Sequence, residues 1–309
     1  MKAFLIICVI LGNSLEYVNP ACIDTHYFIL VLYIFHMPMF TFVSGYFSNK
    51  SSRTTQEKVT NIFKIYICTQ TFYFILGRLL GGTGTRLEFL TPQWTLWYFL
   101  SLMFWYIVSD FIKNKKKWII VSILVALYIG FDYSVGSYVS TSRTFFFLPF
   151  FVAGMAFNEK KLEKIYKNKI LLGISSFALL LILYFLSENT PVELLFEYTR
   201  YTSYFDSALY PLFIRIFHYI SAFTVGAFIL SVIPTKQTFL SFIGQNSIVM
   251  YISHAAVIKI LYKYNITSYP TFSRLVLSEL IILLITASIT LLYHKINTII
   301  KNQKTFLYS

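Results

Sequence analysis

Ten apolar stretches constrain this chain more than anything else in it. They cover 3–18, 27–47, 62–80, 94–112, 118–138, 144–157, 170–186, 210–232, 239–261 and 273–293. A helix needs about 20 mostly apolar residues to cross a bilayer, and most of these runs approach that length. The first and sixth are short, and the sixth is expected to be tilted or broken. The runs are continuous, so the roughly 10-residue alternating segments of a lipid-facing barrel are excluded. Charged residues make up 13% of the 309, and hydrophobic residues 57%. A soluble domain carries about 25% charge, so a soluble globular protein is excluded, and the apolar content excludes disorder. The expected fold is all-α: a polytopic membrane bundle of about ten transmembrane helices, forming one integral-membrane domain over 1–309.

The net charge is +13, from 26 basic and 13 acidic residues. On a soluble protein such an excess would suggest nucleic acid. Here the basic residues lie in short runs between apolar stretches, so the partner they imply is membrane lipid and nucleic acid is excluded. Sixteen of them, including Lys50, Arg53, Lys58, Lys113, Lys115–Lys117 and Lys160–Lys169, fall in alternate loops and the tail, against six in the remaining loops. Because cytoplasmic loops retain Lys and Arg, both termini are expected to be cytoplasmic, a parity that an even number of spans satisfies. The longest outer loop, 187–209, carries Glu188, Glu193, Glu197 and Asp206 and is read as a solvated connector.

Several local patterns lead nowhere. Cys8, Cys22 and Cys68 are too few and scattered for a disulfide framework, and no Cys or His pair has zinc-ligand spacing, so no metal site is expected. Lys2 followed by an apolar run resembles a signal peptide. No A-x-A cleavage site follows and Asn19-Pro20-Ala21-Cys22 is a poor lipidation box, so an uncleaved first span is expected. Gly81-Gly82-Thr83-Gly84 is a turn rather than a phosphate loop, since no Lys-Ser/Thr follows. Asn49-Lys50-Ser51 and Asn265-Ile266-Thr267 fit the glycosylation sequon, a pattern common by chance.

Ionisable groups within apolar runs are costly and mark functional sites by default. Asn13 and Glu16, three apart, share one face of the first span. His36 sits in Phe35-His36-Met37-Pro38, where Pro38 removes a backbone donor; a freed carbonyl beside a buried imidazole points to a cavity. Tyr251 and His254 share a face of the ninth span, and Arg143 opens the sixth. Arg215 and His218, three apart on the eighth, are read as a structural polar contact. Asp110 and Glu279 are expected to reach water near helix ends. Trp94, Trp97 and Trp118 lie near span ends, as interfacial aromatics do.

These residues fall in blocks that resemble one family. Lys2-Ala3-Phe4-Leu5-Ile6 with Val9-Ile10-Leu11-Gly12-Asn13-Ser14 is similar to the first helix of the acyltransferase family 3 membrane proteins. Phe35-His36-Met37-Pro38-Met39-Phe40 running into Val43-Ser44-Gly45-Tyr46-Phe47 resembles that family's most recognisable block. Trp94-Thr95-Leu96-Trp97-Tyr98-Phe99-Leu100, Arg143–Gly154 and Ile243-Gly244-Gln245-Asn246-Ser247 with Tyr251 and His254 follow in the family's order. The nearest branch is the fucose 4-O-acetylase-like proteins.

The resemblance implies a multi-pass protein of the bacterial plasma membrane. It would be an O-acyltransferase, moving an acyl group, usually acetyl, from cytoplasmic acyl-CoA to a hydroxyl of a cell-surface or lipid-linked polysaccharide. Acetyl-CoA is the donor substrate and no bound cofactor is implied. Family members carry a basic residue in the first helix and a His eleven positions later. Lys2 matches the first, but Asn13 stands at the second, and an amide has no titratable base. Few residues precede Lys2, so the first helix is expected to be N-terminally truncated relative to the family. His36 is then the expected general base, since an imidazole suits deprotonation of a sugar hydroxyl near neutral pH. Asn13 would orient the hydroxyl or donate to the thioester oxyanion, and Glu16 would orient an imidazole or the sugar. Arg143, Trp97, Tyr251 and His254 would contact substrate. Lys2, Arg53, Lys58 and Lys64 would meet the CoA phosphates. A polar path between the first, second and sixth helices would carry the acetyl group across. Two other classes remain open: a transporter for a glycan or lipid intermediate, and a non-catalytic member of the family.

Overall fold

The computed structural model describes residues 1–17, 25–82, 86–132, 138–234, 240–266 and 272–307. In chain order the helices are α1 (Lys2–Leu15), α2 (His26–Lys50), α3 (Thr55–Leu79), α4 (Trp97–Ser109), α5 (Lys115–Ile129), α6 (Thr141–Met155), α7 (Glu159–Lys167), α8 (Lys169–Ser187), α9 (Val192–Leu195), α10 (Leu209–Val232), α11 (Leu240–Gln245), α12 (Ser247–Lys263) and α13 (Phe272–Leu307). Among the described residues there is no strand. Asn19-Pro20-Ala21-Cys22, Thr83, Gly84, Lys236 and Thr267 lie outside the described residues.

Each apolar run of the sequence falls on a helix, and the differences lie at the ends. α3 starts at Thr55, seven residues before its run, because Thr54 and Glu57 form a reciprocal capping box; this satisfies backbone donors that a helix start otherwise leaves open. The basic stretch after α6 forms the short helix α7, capped by the Asn158 side chain. The sixth run, expected to be tilted or broken, is one continuous helix through Pro149. The ninth run is split at Asn246, whose side-chain amide donates to the Phe242 carbonyl and whose own carbonyl accepts from Val249. Four helices are long and apolar enough to cross a membrane by length and composition: α2, α8, α10 and α13 over 272–300. α1 and the Trp94–Ser109 segment are apolar but shorter. On α8, Ile170, Phe177 and Phe185 are 73%, 70% and 70% exposed. Large apolar side chains turned outward along a helix of this length suit lipid, not water.

The chain divides into two compact units, one of residues 1–25 with 234–309, the other of residues 26–233. In the first, α1 packs on α11, α12 and α13. In the second, α2 and α6 form the most extensive pairing. Its cause is two glycines facing each other's backbones. A Cβ on Gly45 would overlap the Phe151 carbonyl oxygen, and one on Gly154 would overlap the Phe42 carbonyl oxygen. Small residues let apolar helices approach this closely and gain packing where no hydrophobic force drives them together.

Gly154→Leu is therefore expected to lower the thermal unfolding midpoint of the detergent-solubilised protein sharply, since overpacking costs about 1–3 kcal/mol or more when backbone must move. Gly173→Ala, whose Cβ meets only a Phe228 ring carbon at 3.1 Å, is expected to be much milder. An unchanged midpoint for Gly154→Leu would refute the close α2–α6 approach.

Candidate functional site

The second unit buries four ionisable side chains around α2, α10 and the segment after α9. His36 on α2 is 1% exposed, and its Nδ1–H donates to the Leu32 carbonyl at 2.6 Å. That bond leaves Nε2 as the acceptor nitrogen of a neutral ring. On α10, Arg215 and His218 are 4% and 0% exposed. Both meet Glu197, itself 1% exposed: Arg215 Nε lies 2.6 Å from Oε2 and His218 Nδ1 lies 2.9 Å from Oε1.

Aromatic rings tie Arg143 and Trp97 to this cluster. Arg143 Nε donates to the Phe196 carbonyl at 2.8 Å, and its guanidinium lies 4.8 Å from the Trp97 ring and 4.9 Å from the Tyr198 ring. The Phe196 ring packs at 4.6 Å on Tyr33, which packs at 4.7 Å on His36. Three sequence-nominated residues, His36, Arg143 and Trp97, thus share one neighbourhood. Trp97 is buried against Phe147, so it is a packing residue rather than the interfacial one its position suggested.

Asn13, Glu16, Tyr251, His254 and Lys2 belong to the first unit. Asn13 Nδ2 donates to His254 Nε2 at 3.2 Å, both side chains being buried, and His254 Nδ1 lies 3.2 Å from the Met250 carbonyl. The Tyr251 ring packs on His254 at 5.6 Å. The Asn13 amide is therefore engaged with an imidazole of its own unit. Glu16 is the half-buried C-cap of α1. Ser14, beside Asn13, donates to Glu279 on α13. Glu279 is 9% exposed, so the expectation that it reaches water is corrected: it is packed inside its helix, about two turns from the start. Asp110 is exposed at the end of α4 and accepts from Thr55, as expected.

The three cations placed near CoA on the second unit are dispersed. Arg53 is exposed and lines an open depression with Gln56, Glu57, Thr60 and Asn61. Lys58 donates to the Ser48 carbonyl and lies over the Tyr106 ring. Lys64 is exposed on α3.

A family model described as an acyltransferase domain matches residues 1–294. The chain belongs to acyltransferase family 3. Among curated proteins and solved structures, none matches it. The family assignment makes this chain an acyltransferase with membrane-protein character.

Sequence reasoning missed how this acyltransferase uses Glu197. The loop 187–209 is not a solvated connector throughout: Glu188 and Asp206 are exposed, but Glu197 is buried on Arg215 and His218. The usable signal was Arg215 itself. An arginine in the middle of an apolar helix requires a counter-charge, and the flanking loop holds the nearest run of carboxylates.

The Asn13–His254 bond is expected to appear in a double-mutant cycle with Asn13→Leu and His254→Leu. Side-chain hydrogen bonds between membrane helices couple by about 0.6 kcal/mol, reaching about 1.7 kcal/mol. Unfolding in detergent measures it, and strictly additive losses would refute the contact.

Proposed function

We propose that this acyltransferase is an O-acetyltransferase of the cell membrane. It moves an acetyl group from cytoplasmic acetyl-CoA to a hydroxyl of a cell-surface or lipid-linked polysaccharide, as the fucose 4-O-acetylase-like branch it resembles does. In this reading about ten helices cross a bacterial plasma membrane with both termini in the cytoplasm. The observation that carries the reading is His36: an imidazole buried on a membrane-length helix, with its Nδ1 proton engaged and no hydrogen bond to its Nε2 among the described residues.

A sugar hydroxyl attacks a thioester only as its proton leaves. His36 Nε2 accepts that proton while the hydroxyl oxygen bonds to the acetyl carbon. The C–S bond then breaks, and the proton returns to the CoA sulfur. Arg143 contacts the acceptor sugar through the guanidinium donors that the Phe196 carbonyl does not occupy, and Trp97 packs beneath that guanidinium. On the second unit, Arg53, Lys58 and Lys64 attract the CoA phosphates from the cytoplasmic side by their summed charge.

General base catalysis contributes about 10²–10⁴-fold to rate. His36→Ala is therefore expected to remove glycan acetylation from cells that carry it, read by mass spectrometry against wild type and an empty vector. Acetylation that survives His36→Ala would move the base elsewhere. No acetyl difference between wild type and empty vector would favour the transporter or the non-catalytic reading.

A further inference from the structure

One polar cluster of the second unit is not explained by the roles above. Glu197 and Arg215 neutralise each other at 2.6 Å. Arg215 is further satisfied by the Ala126 carbonyl at 3.0 Å and by the Tyr201 ring at 4.9 Å. Charge balance therefore needs nothing from His218. Yet His218 is fully buried with Nδ1 at 2.9 Å from the second Glu197 oxygen. A carboxylate oxygen only accepts, so the ring proton sits on Nδ1 and the lone pair on Nε2. That Nε2 is buried with no hydrogen-bond partner among the described residues. Three residues on, along the same face of α10, the buried Ser221 hydroxyl oxygen also has no partner. Unpartnered buried polar atoms are rare and cost stability, and two on one helix face call for a polar ligand atom between them. The Glu197 backbone points the same way, since it is held in the left-handed region at φ 59. For a residue with a side chain, that strain persists only where surrounding structure imposes it, often at functional sites.

We infer that His218 is a second proton-transfer residue of the acyl-transfer reaction, beside His36, with Glu197 and Arg215 as its positioning residues. The arrangement is that of a base oriented by a carboxylate: the carboxylate holds the tautomer and stabilises the imidazolium that forms. His36 lacks such a partner, having only the Leu32 carbonyl. The acceptor hydroxyl loses its proton to the pair of imidazoles, and its oxygen bonds to the acyl carbon. The thioester C–S bond breaks, and the proton leaves Nε2 for the CoA sulfur. In passage the proton is held by the ring that a carboxylate backs, before the CoA sulfur receives it. The inference rests on the acyltransferase reading above.

The test uses membranes from cells expressing the full chain, supplied with radiolabelled acetyl-CoA, with label incorporated into polysaccharide measured per molecule of enzyme. His218→Gln keeps an N–H to give Glu197 but offers no base. Its incorporation is expected to fall at least about 100-fold, within the range general base catalysis supplies, with the KM for acetyl-CoA unchanged. Wild-type turnover in His218→Gln would overturn the inference, because a purely structural role is preserved in that variant. If His218→Gln does not accumulate, Glu197→Gln reports instead. Its amide oxygen still accepts from Nδ1, and about a tenfold loss in kcat at unchanged KM is expected. Failure of both variants to accumulate would make the cluster structural and end the inference. If wild type incorporates no more label than an empty vector, the acyltransferase reading itself fails, a different result from active wild type with active His218→Gln.

Discussion

The Glu197–Arg215 ion pair, with side chains 0% and 5% exposed, is the constraint on which the second unit's interior depends. Two charges withdrawn from water are tolerated only when matched closely and hydrogen-bonded, and removing one partner of such a pair costs about 3–5 kcal/mol. The match holds a loop in place. Glu197 is drawn inward from the segment after α9, which puts the Phe196 carbonyl on Arg143. It also puts Tyr201 against the end of α5, through its backbone N–H to the Gly130 carbonyl and its hydroxyl to the Leu127 carbonyl. Arg215 itself reaches the Ala126 carbonyl. One ion pair thereby ties α10, the end of α5 and the loop between α8 and α10 together.

The same rule operates in the first unit. A buried polar group in an apolar bundle is stabilised by a partner from the chain itself. Asn13 finds His254, and Ser14 finds Glu279. Adjacent residues of α1 thus bind it to α12 and α13. Asparagine at position 13 therefore does a structural job that an imidazole donor would also do. This explains why the helix tolerates it physically. It does not make an amide into a base.

How much of this was legible follows from what periodicity carries. The helices were legible because apolar runs need no partner information, and α2, α8 and α10 lie close to their runs. Boundaries set by side-chain capping, as at Thr54, and the break at Asn246 were not, since each depends on one local hydrogen bond that hydropathy does not register. His36 and Arg143 were legible as costly polar residues, and their shared neighbourhood was not, because Tyr33 and Phe196 join them through ring contacts across distant segments. Glu197 was hidden for a plainer reason. A carboxylate in a loop looks solvated, and only its fit to Arg215 and His218 shows otherwise.

The aromatic content, 19% of the chain, has a consequence at this site beyond packing. Phe146 stacks on Tyr219 at 4.5 Å, and Phe150 stacks on Phe223 at 4.5 Å and on Tyr219 at 5.6 Å. Phe146 also lies 4.9 Å from the His218 ring, and the Tyr219 hydroxyl is occupied by the Phe146 carbonyl at 2.9 Å. Phe146 thus covers His218 with a ring that offers water no hydrogen bond, and Tyr219 and Phe150 back that ring. A thioester poised for transfer to a sugar hydroxyl is equally open to attack by water, and a base that activates one activates the other. Excluding water suppresses that side reaction and strengthens electrostatic interactions inside the site. On the proposed reaction, the Phe146 ring limits water beside His218, while Glu197 and Arg215 supply the charge that a dry interior would otherwise lack.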